Sequence, residues 1–90
     1  MEGLFRTIRA IKVYKRFTQR GFNKGVLLAP RQLVEIKFEG TTRLHRGYIL
    51  EGRYKGWFTG RYTLNGVGAT FAEVSPLEYL AREGERESPL

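Results

Sequence analysis

The sequence predicts one small, mainly β (α+β) domain, a barrel built on a meander of four to five strands. Three observations predict it. Ninety residues are too few for two separate cores, and a chain of this size hides only roughly 60–65% of its unfolded surface. Eleven glycines signal many turns and bends. Apolar and polar residues alternate in short runs bounded by turn residues, the period of half-buried strands. A hydrophobic content of 41%, with 13% aromatic residues, is enough for a packed core and argues against a disordered chain.

Taken in order, the basic segment 1–25 carries two competing signals. Arg6, Arg9, Lys12, Arg16 and Arg20 gather on one side of a helical wheel. Leu4, Ile8, Ile11, Tyr14 and Thr18 gather opposite, with Phe5, Val13 and Lys15 out of place. That stripe predicts an amphipathic helix over 3–18. The β-branched and aromatic content of "TIRAIKVYKRFT" points instead to strand, and helix is the expectation carried forward. Val26–Ala29, stopped by Pro30, is a short strand exposed at an edge. "LVEIKFEG" sets Val34, Ile36 and Phe38 against Glu35, Lys37 and Glu39, a half-buried strand. "EGTT" turns into a second strand, "RLHRGYILEG". The stretch 52–66 continues as a third strand through "WFTGRYTL". Asn65-Gly66 is a type I′ hairpin signal leading into a fourth strand, "VGATFAEV". Ser75, Pro76 and Glu78 form a capping box with proline at the first helical position. It predicts a helix over 75–84 that closes the domain 1–84, the β-meander being 26–74. An acidic, flexible tail then covers 85–90.

"LVEIKFEGTTRLHRGYIL" resembles the strongly bent hairpin of Sm-like and other SH3-like barrels, with Arg46 and Gly47 entering the second strand. The turn is longer than the usual Sm one, and "LNGVGATFAEV" lacks the second Sm signature. The resemblance implies an SH3-like or OB-like small barrel and no family assignment.

Sixteen Lys and Arg stand against nine acids, all glutamate, for a net charge of +7. The charge is polarised: +6 over residues 1–25 and −3 over 67–90. Such a domain favours polyanions, nucleic acid first. Without cysteine there is no disulfide framework and no thiolate metal site. No apolar run reaches membrane-span length, and the first residues lack the apolar stretch of a secretory signal. A cytoplasmic protein without membrane or small-molecule partners is expected.

The catalytic inventory is thin. There is no phosphate loop, no G-x-G-x-x-G, one histidine and no aspartate, so neither a metal site nor a cofactor site is expected. A small ribonuclease or toxin using His45 and Arg46 with Glu51 is the one enzymatic reading. Against it, His45 reads as an ordinary exposed strand residue.

The binding chemistry lies in "GRYKGWFTGRYTLNG". Read as a strand, one face carries Tyr54, Phe58 and Tyr62; the other carries Arg53, Lys55, Trp57 and Arg61. A cationic row around an indole is what a single nucleic-acid strand needs, phosphate contacts beside a ring on which bases stack. Lys37, Arg43 and Arg46 extend the patch from neighbouring strands, Tyr48 or Tyr54 adds a ring, and Arg6, Arg9, Lys12 and Arg16 offer a second basic stripe. Against this, a bulge at Gly56 would turn Trp57 into the core. The expected function is non-enzymatic binding of RNA or single-stranded DNA within a larger complex. The alternative is an accessory or inhibitor module that docks on an acidic protein surface, or a homo-oligomer through the edge strand.

Overall fold

The period-two pattern of Val34, Glu35, Ile36 and Lys37 gives the sheet its two faces, and strand pairing spreads those faces across the molecule. A computed structural model describes residues 3–18, 21–22, 24–75 and 77. Its elements are β1 Gly3–Thr7, β2 Ile11–Tyr14, β3 Phe17–Thr18, β4 Gly21–Phe22, β5 Val26–Leu28, β6 Leu33–Glu39, β7 Leu44–Ile49, β8 Phe58–Tyr62, α1 Leu64–Thr70 and β9 Phe71–Glu73. Seven strands form one antiparallel sheet in the order β5-β2-β8-β7-β6-β1-β9, curled into a half-barrel; β3 and β4 pair separately. The small β-barrel expectation holds at this level.

The inner face carries the core: Phe5, Ile11, Val13, Leu28, Val34, Ile36, Ile49 and Phe71, joined by Val67 from α1. Burying one such side chain contributes about 1.5–3 kcal/mol. Phe71 collects two edge-to-face rings, Tyr62 at 5.2 Å and Phe5 at 6.4 Å between centroids.

The helix expected over 3–18 is not formed. The segment makes β1 and β2, and the residues that spoiled the helical wheel supply the reason. In strand register Phe5 and Val13 turn inward, 4% and 0% exposed, while Arg6 and Lys12 take alternate positions. The two strands do not pair with each other. β1 lies between β6 and β9, and β2 between β8 and β5. Residues 8–10 carry the chain across, tied by Ile8 N–H to the Thr70 carbonyl at 2.8 Å.

The expected hairpin at Asn65-Gly66 is also overturned. Residues 64–70 form α1, with the Thr63 hydroxyl accepting from Gly66 N–H and Phe71 closing the other end. β8 already has β7 and β2 as neighbours, so a hairpin strand after it would find no free side. The helix carries the chain to β1 instead, shortening the expected strand 67–74 to 71–73. Two glycines and β-branched residues are poor helix formers; burial of Val67 and Thr70 outweighs that preference over so short a span.

Between the pairs Arg46↔Arg61 and Tyr48↔Phe58 the β7–β8 register shifts, so Gly47 alone faces Thr59 and Gly60. This is a β-bulge. The fully buried Thr59 hydroxyl accepts from Gly47 N–H at 3.0 Å and donates to the Gly60 carbonyl at 2.6 Å. A side chain at position 47 would press on Ile36 Cδ1 and Thr59 Cγ2, so glycine permits the close approach. The expected inward set of β6 ends early: Phe38 is 43% exposed. The helix 75–84 and tail 85–90 lie outside the described residues apart from Ser75 and Leu77, where Leu77 N–H donates to Ser75 Oγ.

Replacing Thr59 by valine keeps shape and removes the hydroxyl, leaving the Gly47 N–H buried without an acceptor. The expected loss is about 1–3 kcal/mol, read by urea unfolding; an unchanged midpoint would show the bulge does not need the bond. Burial raises the Tyr62 hydroxyl above its ordinary pKa, with Tyr14 adding to the shift and Arg9 opposing it. The fold therefore holds the neutral form, and this contribution to stability is lost as pH rises above about 10, the unfolded tyrosine value. Tyr62→Phe is expected to flatten that alkaline loss in thermal melts taken across the range.

Candidate nucleic-acid interface

Cross-strand pairing assembles two rows on the outer face of the sheet. Arg61 of β8 stands opposite Arg46 of β7, which stands opposite Lys37 of β6. Beside them runs Tyr14 of β2, Phe58 of β8, Tyr48 of β7, Glu35 of β6 and Leu4 of β1, each paired with the next. A row of cations thus lies against a row of rings.

Like charges directly opposite each other repel, and two carboxylates offset this. Glu39 places Oε1 at 3.2 Å from Arg46 Nε and Oε2 at 3.3 Å from Arg61 Nε. Glu35 lies 3.5 Å from Lys37 Nζ. The rings add to this: the Arg46 guanidinium sits 5.1 Å from the Phe58 centroid and Lys37 Nζ 5.5 Å from that of Tyr48. Such contacts are worth about 0.5–2 kcal/mol, more when desolvated. Tyr14 and Phe58 rings lie 6.2 Å apart.

The two exposed cations of the row are Lys37 and Arg61. Arg46 is 2% exposed, so it organises the face from beneath and does not reach a phosphate. Two strand spacings separate Lys37 from Arg61, about 10 Å, with half-buried Tyr48 alongside. Lys12 is exposed on the same face of β2, opposite Leu27, and Arg43 is exposed in the β6–β7 turn at φ 59°.

Other expected contacts lie elsewhere. Residues 52–57 are not strand: Gly52 and Gly56 take φ of 84° and 89°, and Arg53 and Lys55 sit exposed in the turn 53–56. Gly56 N–H donates to the Ile49 carbonyl at 2.8 Å and Trp57 N–H to that of Tyr54 at 3.0 Å. Trp57 is half-buried on the core, edge-to-face with Tyr54 at 4.8 Å, and Arg53 lies 5.6 Å from the Tyr54 ring. The row Arg53, Lys55, Trp57, Arg61 is therefore not assembled. Thr59, which strict alternation would place in that row between Trp57 and Arg61, is fully buried, and the bulge next to it returns Arg61 to the outer face. Arg6 is occupied by Glu51 at 3.5 Å and the Arg31 carbonyl at 3.0 Å. Arg9 and Arg16 are exposed outside the strands.

His45 is not an exposed strand residue; it is 4% exposed and its ring lies 5.1 Å from Phe38. Adjacent strand residues point to opposite faces, so His45 and Arg46 diverge, while Glu51 holds Arg6. The three are not brought together. Among the described residues no group of three metal-ligating side chains occurs, and no helix is long and apolar enough to cross a membrane. Sequence reasoning missed Tyr14 as an outer ring, Phe58 as a ring buried against the Arg46 guanidinium, and Glu39 as the bridge. The signal for Glu39 was its place beyond the last inward residue of β6; nothing marked the rings without the register.

Glu39→Gln is expected to destabilise the fold, because it weakens the charge partner of a buried guanidinium. Breaking a fully buried pair costs about 3–5 kcal/mol, and the partly exposed Glu39 places the loss at or below the lower end. Denaturant unfolding measures it; a loss no greater than that of Glu35→Gln would show that Arg46 does not depend on this carboxylate.

No protein family, curated protein or solved structure matches the chain.

Proposed function

We propose that the domain binds single-stranded nucleic acid, RNA or DNA, without catalysing a reaction, across the outer face of β6, β7 and β8. The observation that carries this reading is the juxtaposition of exposed Lys37 and Arg61 with half-buried Tyr48 and Tyr14, all four held in register by the buried Arg46 and Phe58 between them. Phosphates meet Lys37, Arg61, Lys12 and Arg43, and a base stacks on Tyr48 in the gap between the exposed cations. Stacking tolerates any base, since every base has a π-face. Glu35 and Glu39 reduce the positive charge of the face, so affinity from one domain is modest. The domain contributes one contact among several in a larger assembly.

Four phosphates neutralised on a single strand give a log–log salt slope of about −2.8. Anisotropy of a labelled oligonucleotide, measured at several salt concentrations, is expected to give that slope. Lys37→Ala and Arg61→Ala each reduce its magnitude by about 0.7, and Tyr48→Ala weakens binding by ~1–3 kcal/mol. Trp57→Phe leaves affinity unchanged. Absence of binding at low salt would end the proposal, and loss of binding in Trp57→Phe with Tyr48→Ala unaffected would move the site to the 52–57 turn.

A further inference from the structure

The described sheet ends in two unlike edges, β5 and β9. Natural edge strands are protected from adventitious pairing by charges, proline, bulges or covering segments. β9 carries exposed Glu73. β5 has none of the first three: it reads Val26-Leu27-Leu28 and pairs with β2 in unbroken register, Ile11↔Leu28, Lys12↔Leu27, Val13↔Val26. Leu27 is 69% exposed, while Leu28 is buried at 8%. The strand is thus anchored by one leucine and presents the next one to solvent, beside backbone groups on its outer side.

Among the described residues the charge around this edge is one-sided. Residues 3–34 contain eight cations and no acid. Lys12 is directly opposite Leu27, and Lys24 precedes the strand; both are exposed, as are Lys15 and Arg16 after β2. We propose that β5 is a docking edge for an extended acidic segment of a partner protein, which adds a strand to the sheet. Main-chain hydrogen bonds to β5 supply sequence-tolerant affinity, an apolar residue of the segment covers Leu27, and flanking carboxylates meet Lys12 and Lys24. A second copy is a poor occupant, because pairing β5 with itself sets the same lysines against one another. A polynucleotide lacks the alternating amide donors and carbonyl acceptors that a strand edge pairs with. This inference shares Lys12 with the nucleic-acid face but rests on the β5 backbone edge, and stands without that reading.

The test uses the full-length, isotope-labelled protein and a short blocked peptide alternating glutamate and valine. Two control peptides accompany it: the same sequence with alternate backbone amides N-methylated, and a lysine–valine counterpart. The acidic peptide is expected to shift and protect amides within Val26–Leu28. N-methylation is expected to weaken it by roughly tenfold or more, since about two main-chain hydrogen bonds are lost, and the lysine peptide is expected not to bind. Equal binding of the N-methylated peptide would reduce the contact to charge alone and overturn the proposal. So would shifts confined to Lys37, Tyr48 and Arg61, or no binding of the acidic peptide. Protection, in the protein alone, of those Val26–Leu28 amides that face away from β2 would also overturn it, assigning the edge to a second copy if it depends on concentration and to the chain itself if it does not.

Discussion

The hydroxyl of Thr59 holds the one irregularity on which the two faces of the sheet depend. It accepts from Gly47 across the strand boundary and donates to Gly60 beside it, stabilising the point where one residue of β7 faces two of β8. Without that extra residue, strict alternation would send Arg61 toward the core and Tyr62 toward solvent. With it, Phe58 and Arg61 both face outward though three positions apart, and Thr59 and Tyr62 both face inward. The Tyr62–Phe71 packing and the Arg46–Arg61 pairing follow from the same bulge. The core and the candidate binding face therefore share one local cause.

The outer face shows how a small domain keeps cations close together. Three basic residues sit in direct cross-strand opposition, an arrangement that costs stability in isolation. Glu39 is shared between two of them, and Phe58 lies under the buried one. Arg46 suits this position better than lysine would, because a planar guanidinium can donate to a carboxylate at its edge while a ring lies against its face. The face is thereby pre-organised, with Lys37 and Arg61 presented from fixed strands. The sparing use of acids keeps the candidate face from being neutralised outright, and β5 lies at the end of the sheet where its neighbour β2 carries no acid.

Legibility varied along the chain for physical reasons. β6 and β7 were readable because both alternate cleanly between turn signals, and Val26–Leu28 because Pro30 stops it. Residues 3–18 misled because cations spaced three and four apart satisfy a helical stripe, while the decisive residues, Phe5 and Val13, acquire meaning only beside Val34 and Thr59. Asn65-Gly66 has the composition of a hairpin turn, yet a turn needs a vacant neighbour for the returning strand, and β8 had none. Trp57 looked exposed on the assumption of continuous strand; glycines with positive φ at 52 and 56 instead fold that stretch back, and the indole packs on Tyr54.

By itself, the sequence determined a small β-rich fold, the polarity of its charge, the absence of cysteine chemistry from these ninety residues, and the local period of its clearest strands. These depend on composition and on residues near one another in the chain. Tertiary structure alone decided which strands are neighbours, where the register slips, and hence which side chains share a face. Pairing brings together residues far apart in sequence, such as Lys37, Arg46 and Arg61 or Lys12 and Leu27, and one added residue in β8 reverses the direction of every side chain beyond it.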